Sequence, residues 1–246
     1  DFAGKFGFST KRLPPYLPLA LGTGTTSPLR LATAYGVFAK QRHRIEPYLI
    51  EKITDGDGNV LFAADTSEPP RVISERNAFV MNSLLQSVVD EGTGNGVKRY
   101  LRRDDVAGKT GTTNDAVDGW FAGYAGQVVT VAWMGFDDNR SLGRHEFGAT
   151  TALPIWAAYM EGRLAGVPDT EFRAPPQLAR LNNDWAYAEN ADGTHGIAAL
   201  GFPPPAAADI APDGGVPGAP SMPGPTPAAL GIPAPVAPPR PAGNPL

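Results

Sequence analysis

Val106-Ala107-Gly108-Lys109-Thr110-Gly111-Thr112-Thr113-Asn114-Asp115 leads through Ala116-Val117-Asp118-Gly119 into Trp120-Phe121-Ala122-Gly123-Tyr124. Two apolar residues run into a glycine, then one cation stands beside two hydroxyls. On a strand, Thr110 and Thr112 lie two apart and share a face. Gly111 between them has no Cβ to block an approaching backbone or ligand. Lys109 offers a compact positive charge with rotatable donors. Such an extended edge can hold a carboxylate and offer N–H groups to an oxygen that turns negative during acyl transfer. Taken alone, such a triplet is more often a solvated strand end or turn than a site. Gly108-Lys109-Thr110 also mimics the end of a phosphate-binding loop, but Arg103 occupies the place of the required first glycine. The nucleotide reading fails there.

Outward from this stretch the chain reads as strands. Val106 to Thr113, Trp120 to Tyr124 and Val128 to Phe136 are joined by short turns and predict an antiparallel meander. Near-continuous apolar content over Val128–Met134 predicts burial on both faces, with helices on each side. Upstream, Ser27-Pro28 starts a helix whose apolar stripe is Leu31, Tyr35 and Phe38. Two short apolar runs flank Asp55-Gly56-Asp57-Gly58, a hairpin signal; the later ligands of a calcium loop are missing. A second helix runs from Ser74 to about Glu91, with Phe79, Met81, Leu84, Leu85 and Val88 as its core stripe and Gly92 as its stop. The loop Gly92-Thr93-Gly94-Asn95-Gly96 leads towards Lys109; such loops are usually flexible connections, though one beside a site can shape its rim. Thr150 or Thr151 caps a last helix, with Tyr159 and Met160 on one side, ending near Gly166. Helices, a meander and a final helix make an α+β domain, an antiparallel sheet covered on both faces.

Composition narrows the class. The chain has 246 residues, 42% of them hydrophobic, no cysteine and a net charge of −4. Nucleic-acid binding finds no support, and disulfides and thiolate metal sites are excluded. His43, His145 and His195 stand far apart, so no metal site is expected. No run of 18 apolar residues or signal peptide is present. Of 26 prolines, 15 fall between Pro203 and Pro245. That stretch offers little large apolar surface to offset the entropy of ordering, and it reads as a disordered tail. The expected organisation is a folded domain over 1–166, an extension or linker over 167–201, and the proline-rich tail over 202–246.

In their order, these segments resemble the C-terminal part of the transpeptidase domain of class A penicillin-binding proteins. The resemblance covers about Gly7 to Gly166. Besides the lysine stretch it rests on Leu19-Ala20-Leu21-Gly22 before Thr26-Ser27-Pro28-Leu29, Ile73-Ser74, Gly92-Thr93-Gly94, Asp137-Asp138-Asn139-Arg140 and Ala152-Leu153-Pro154-Ile155-Trp156. Any one is weak; the ordered set is specific. K-T-G belongs with S-x-x-K and S-D-N in the signature of a serine acyl-enzyme group. Neither S-x-x-K nor S-x-N occurs in these residues. In the family both lie upstream, as do the membrane anchor and a glycosyltransferase domain. The resemblance therefore implies a C-terminal fragment, incomplete on its N-terminal side, that carries one motif of three and lacks the nucleophile.

What the resemblance implies for function is D,D-transpeptidation through a serine acyl-enzyme, open to acylation by β-lactam antibiotics. Lys109 and Thr112 take catalytic roles. Lys109, Thr110, Gly111 and Thr112 bind substrate, and the Thr112 N–H is the oxyanion donor from this half. Trp120 reads as core or cleft wall. Peptidoglycan stem peptides and the lipid-linked precursor are the implied partners, with no metal or organic cofactor. The implied location is the periplasmic side of the inner membrane, reached through an anchor upstream. A related hydrolase (a D,D-carboxypeptidase or β-lactamase) and a non-catalytic protein that keeps the fold are the alternatives. The T-T-N-D run, the D-D-N-R segment and the proline-rich tail favour the bifunctional synthase over the hydrolase.

Overall fold

The computed structural model describes residues 2–13, 15–181 and 184–191, within one compact unit, Asp1–Gly193. The tail expected over 202–246 and the end of the 167–201 extension lie outside the described residues.

Helix α1 spans Pro28–Ala39, and the Ser27 hydroxyl accepts from the Arg30 N–H as the N-cap reading requires. Its fully buried residues are the small ones, Ala34, Gly36, Val37 and Ala39, while the expected Leu31, Tyr35 and Phe38 are half-buried around them. The small residues let the helix axis come close to the sheet, and Tyr35 and Phe38 then pack at its sides. Burial pushes the Tyr35 phenol up to about 12.

Strands β1 (Lys52–Thr54) and β2 (Val60–Ala63) form the expected antiparallel hairpin, with a register irregularity at Ile53/Thr54. The Asp55 carboxylate closes its turn by accepting from the N–H groups of Asp57 and Asn59 and from the Asn59 side chain. Every residue of both strands is exposed.

Helix α2 spans Glu75–Asp90, capped by Ser74. Of the expected stripe Leu85 is buried and Phe79 and Val88 are half-buried. The buried row is Ala78, Asn82, Leu85 and Val89, whereas Met81 and Leu84 are exposed. This face wins because Asn82 is satisfied: its Oδ1 accepts from the Tyr124 hydroxyl at 2.8 Å and its Nδ2 donates to Gln86 at 3.0 Å. Burial, then the neighbouring Tyr35, pushes the Tyr124 phenol far above its ordinary range, so it stays a neutral donor.

Strands β3 (Ala107–Thr112), β4 (Asp118–Ala125) and β5 (Val128–Gly135) form the predicted meander, ordered β3-β4-β5. On one face Phe121 and Ala125 meet α3 (Ala152–Arg163), with the Phe121 and Trp156 rings 4.8 Å apart. On the other, Ala107 and Tyr124 meet Leu85 of α2 and Ala39 of α1. Helices thus cover both faces, as expected. Losing either ring of the Phe121–Trp156 pair would cost about 3–5 kcal/mol. Double-sided burial of β5 is not observed: only Ala132 is buried, and Trp133 and Met134 are exposed. Among the described residues β5 is an outer strand, so its far end runs past the helices.

Two expectations for α3 also change. Met160 is buried but Tyr159 is 55% exposed. Thr151 stands at the N-cap, but no side chain caps the helix: the Thr150 and Thr151 hydroxyls both bond to the Phe147 backbone, and the Leu153 N–H reaches the Gly148 carbonyl instead. Loop backbone does the work of a cap.

A feature the sequence reading passed over is buried beside the meander. Asp105, 2% exposed, takes two guanidinium N–H groups of Arg103 at 2.8 Å, the Gly126 N–H at 2.9 Å and the Thr170 N–H at 2.8 Å. It ties the β4–β5 turn to the chain after α3. Burial alone would raise its carboxyl, but the Arg103 hydrogen bonds, the backbone N–H groups and the Arg103 charge together hold it below the usual carboxylate range. Beyond it, strands β6 (Leu178–Leu181) and β7 (Asp184–Tyr187) form a hairpin on α2, where Trp185 meets Phe79 edge-on at 5.0 Å. No helix among the described residues is long and apolar enough to cross a membrane.

Candidate active site

The row Lys109-Thr110-Gly111-Thr112 closes β3, which among the described residues is one of the two outer strands of the meander. Register decides which backbone groups that edge presents. The Thr113 N–H donates to the Asp118 carbonyl, in step with the ladder from Ala107↔Tyr124 to Thr112↔Gly119. Alternation then turns the N–H and C=O groups of Gly111 and Lys109 towards β4, and those of Thr112 and Thr110 away from it. The open edge therefore carries the Thr112 N–H.

The side chains alternate as well. Thr110 and Thr112 share the α3 face, as expected from their spacing, while Lys109 and Gly111 belong to the face of Ala107 and Ala122. Lys109 nevertheless reaches across the edge: its Nζ donates to the Thr110 carbonyl at 3.0 Å and to the Thr110 hydroxyl at 3.4 Å. Among the described residues it pairs with no carboxylate. Cation, hydroxyls and open N–H thus converge on one exposed edge.

Neighbouring loops fix the row. The Gly148 N–H donates to Thr112 Oγ1 at 3.0 Å, which leaves the Thr112 proton free for a ligand. Thr93 Oγ1 lies 2.7 Å from Thr110 Oγ1, so the loop after α2 does form a rim beside the strand. On the Lys109 face, Trp120 stacks at 5.9 Å on Trp133, whose indole N–H donates to Asp118. Half-buried Trp120 is a wall of this face, one of the two readings its sequence context allowed. Gly148 and Thr93 were not singled out from sequence as individual residues. Gly148 has no local signal, since the chain that brings it to Thr112 spans the whole meander. Thr93 had one, in the glycines on either side. A cavity of about 560 Å³ at the start of α1, lined by Phe8, Arg12, Thr26 and Arg30, lies away from this row.

A family model described as the penicillin binding protein transpeptidase domain matches residues 15–161. The chain belongs to this family. Penicillin-binding protein 1A of Neisseria lactamica is 42% identical over 196 residues, covering 77% of this chain and 24% of that protein. The crystal structure of penicillin-binding protein 1A from Haemophilus influenzae superimposes with a TM-score of 0.69 at 35% identity, over 74% of this chain and 33% of that one. The PonA1 protein from Mycobacterium tuberculosis, in complex with penicillin V, follows at TM-score 0.57 and 27% identity, over 65% and 44%. This transpeptidase-family chain thus spans about a quarter of the first of these relatives, and its relatives place it with the class A members. The sheet with helices on both faces is the transpeptidase fold.

Proposed function

We propose that this chain is the K-T-G-bearing part of a peptidoglycan synthase. Its transpeptidase domain would cross-link stem peptides through a serine acyl-enzyme and be acylated by β-lactams. The observation that carries the reading is the open edge of β3, where an ammonium with no carboxylate partner among the described residues and two threonine hydroxyls surround an outward N–H. Lys109 holds the substrate carboxylate electrostatically, and Thr110 and Thr112 donate to it. Gly111 lets the peptide lie along the strand. The Thr112 N–H stabilises the oxyanion, a contact whose loss costs about 3 kcal/mol.

In this scheme a serine oxygen attacks the carbonyl carbon of the D-Ala-D-Ala bond. The C–N bond breaks, D-Ala leaves with a proton, and an amine of a neighbouring strand then displaces the serine from the ester. The serine belongs to an S-x-x-K segment outside these 246 residues, so the residues alone form no acyl-enzyme. A glycosyltransferase domain, a membrane anchor, the lipid-linked precursor and a periplasmic setting belong to the same reading. The relatives named penicillin-binding protein 1A and the penicillin V complex of PonA1 support it.

The test is acylation by a fluorescent penicillin, read as a covalent band on a denaturing gel. In the full-length protein Lys109→Ala should slow labelling about a hundredfold or more, and the 246 residues alone should not label. Labelling of any serine in this chain, or a Lys109→Ala rate within about twofold of wild type, would overturn the assignment.

A further inference from the structure

Thr93 touches the row but has no role in the proposed chemistry. Helix α2 ends at Asp90, and the chain then turns back tightly, with the N–H groups of Gly92 and Gly94 both donating to the Val88 carbonyl at 3.1 and 2.9 Å. A Cβ at Gly92 would come within 3.0 Å of the Val88 backbone, and one at Gly94 within 3.1 Å. A side chain on either flank of Thr93 would crowd that backbone, and the loop presents one hydroxyl from between the two glycines. The Asn95 side chain and the Lys98 ammonium bond to the Asp90 carbonyl and close the same turn. Behind the loop, α2 is anchored through Asn82 to buried Tyr124 of β4, and through the Gln86 side chain to the Asp104 carbonyl at 3.1 Å. The Thr93 hydroxyl is thus carried by rigid elements to a point 2.7 Å from the Thr110 hydroxyl.

Two groups meet Thr110 Oγ1, and they differ in kind. The Lys109 ammonium only donates, whereas the Thr93 hydroxyl can donate or accept. We infer that Thr93 is a positioning residue for Thr110, holding its hydroxyl in one orientation beside Lys109 whether or not a carboxylate is bound. In the empty site Thr110 gives its proton to Thr93. When a carboxylate arrives, Thr110 turns that proton to the ligand, and Thr93 reverses to donate into the lone pair left free. A hydroxyl can serve both states; a methyl group serves neither, and it leaves Thr110 free to swing off the edge. The inference rests on the transpeptidase reading of the row.

The experiment uses the full-length protein and the second-order rate of labelling by a fluorescent penicillin, whose carboxylate is the probe. Thr93→Val keeps the volume and removes the hydroxyl, Thr93→Ser keeps the hydroxyl, and Lys109→Ala is measured alongside. Thr93→Val should slow labelling about five- to tenfold, the worth of one such bond, with the melting temperature unchanged. Thr93→Ser should label within about twofold of wild type. In a Thr110→Val background, adding Thr93→Val should change nothing, because the residue acts through Thr110. Wild-type labelling by Thr93→Val beside an inactive Lys109→Ala would overturn this inference alone. So would an undiminished effect in the Thr110→Val background, or a loss of labelling matched by a loss of fold. Wild-type labelling by Lys109→Ala would overturn the reading of the row, and this inference with it.

Discussion

Replacing Asp105 by alanine removes the acceptor of four hydrogen bonds at a site where neither partner has water to fall back on. The Arg103 side chain is 8% exposed and the Asp105 side chain 1%. After truncation the guanidinium keeps the Val167 carbonyl through Nη1 and, through Nη2, the Pro168 carbonyl and a looser contact with Asp169 at 3.4 Å, while Nε is left without its acceptor. The Gly126 and Thr170 N–H groups lose their acceptor altogether. Stranding one partner of a buried ion pair costs about 3–5 kcal/mol. The two orphaned N–H groups are part of the same collapse and are not added separately. For a folded unit of this size that corresponds to a melting temperature lower by roughly 6–20 °C. Asp105→Asn, which keeps one acceptor oxygen, should lose less. The pH dependence has a definite sign. The folded carboxyl titrates below its unfolded value, so its contribution is complete above the unfolded pKa of about 3.9 and is lost as pH falls through the depressed folded pKa. Wild type should therefore lose this share of stability on acidification, and Asp105→Asn should not. Thermal melting of the purified protein across pH is the assay. A loss below about 1 kcal/mol, the worth of an exposed ion pair, would refute the claim that this cluster is buried and cannot be replaced by water.

Two further substitutions test the supports of the row. A Cβ at Gly148 would run into the carbonyl oxygens of Trp120 and Gly111, which are backbone and cannot yield. Gly148→Ala should cost about 1–3 kcal/mol and slow penicillin labelling by displacing the donor to Thr112. Gly162→Ala, which meets open space in α3, should stabilise by about 0.5–1 kcal/mol; equal effects on stability from the two would sink the steric argument. Trp185→Ala removes the edge-on contact with Phe79, worth about 0.5–1.5 kcal/mol beyond its buried area, and should speed tryptic cleavage at Arg180. Unchanged cleavage would show that the hairpin is not held by α2 there.

The elements with local signals were legible. Ser27 and Ser74 marked both helix starts, and the strand–turn alternation from Val106 to Phe136 fixed the meander and the place of Lys109 in it. What escaped depended on partners distant in sequence. Asn82 gave no local sign of burial, because its hydrogen-bond partner, Tyr124, lies 42 residues away. Nothing local marked Arg103 and Asp105 as a buried pair, because the segment from Val167 to Thr170 that closes over them lies far along the chain. The apolar run of β5 suggested burial on both faces, yet composition alone does not distinguish a strand buried along its length from one that is only partly covered. The common lean of Lys109 and Thr110 over one edge depends on backbone pairing parity, which spacing predicts only once the register is known.

The β1–β2 hairpin has a consequence of a different sort. None of its side chains enters the three buried clusters, and it is held by its own ladder and the Asp55 turn. Its opening is accordingly a separate event from unfolding of the sheet. A fluorophore, an affinity tag or a changed loop length placed between Asp55 and Asn59 would report on, or alter, the hairpin alone. The arm is the point from which the molecule can be handled while the lysine strand goes on undisturbed.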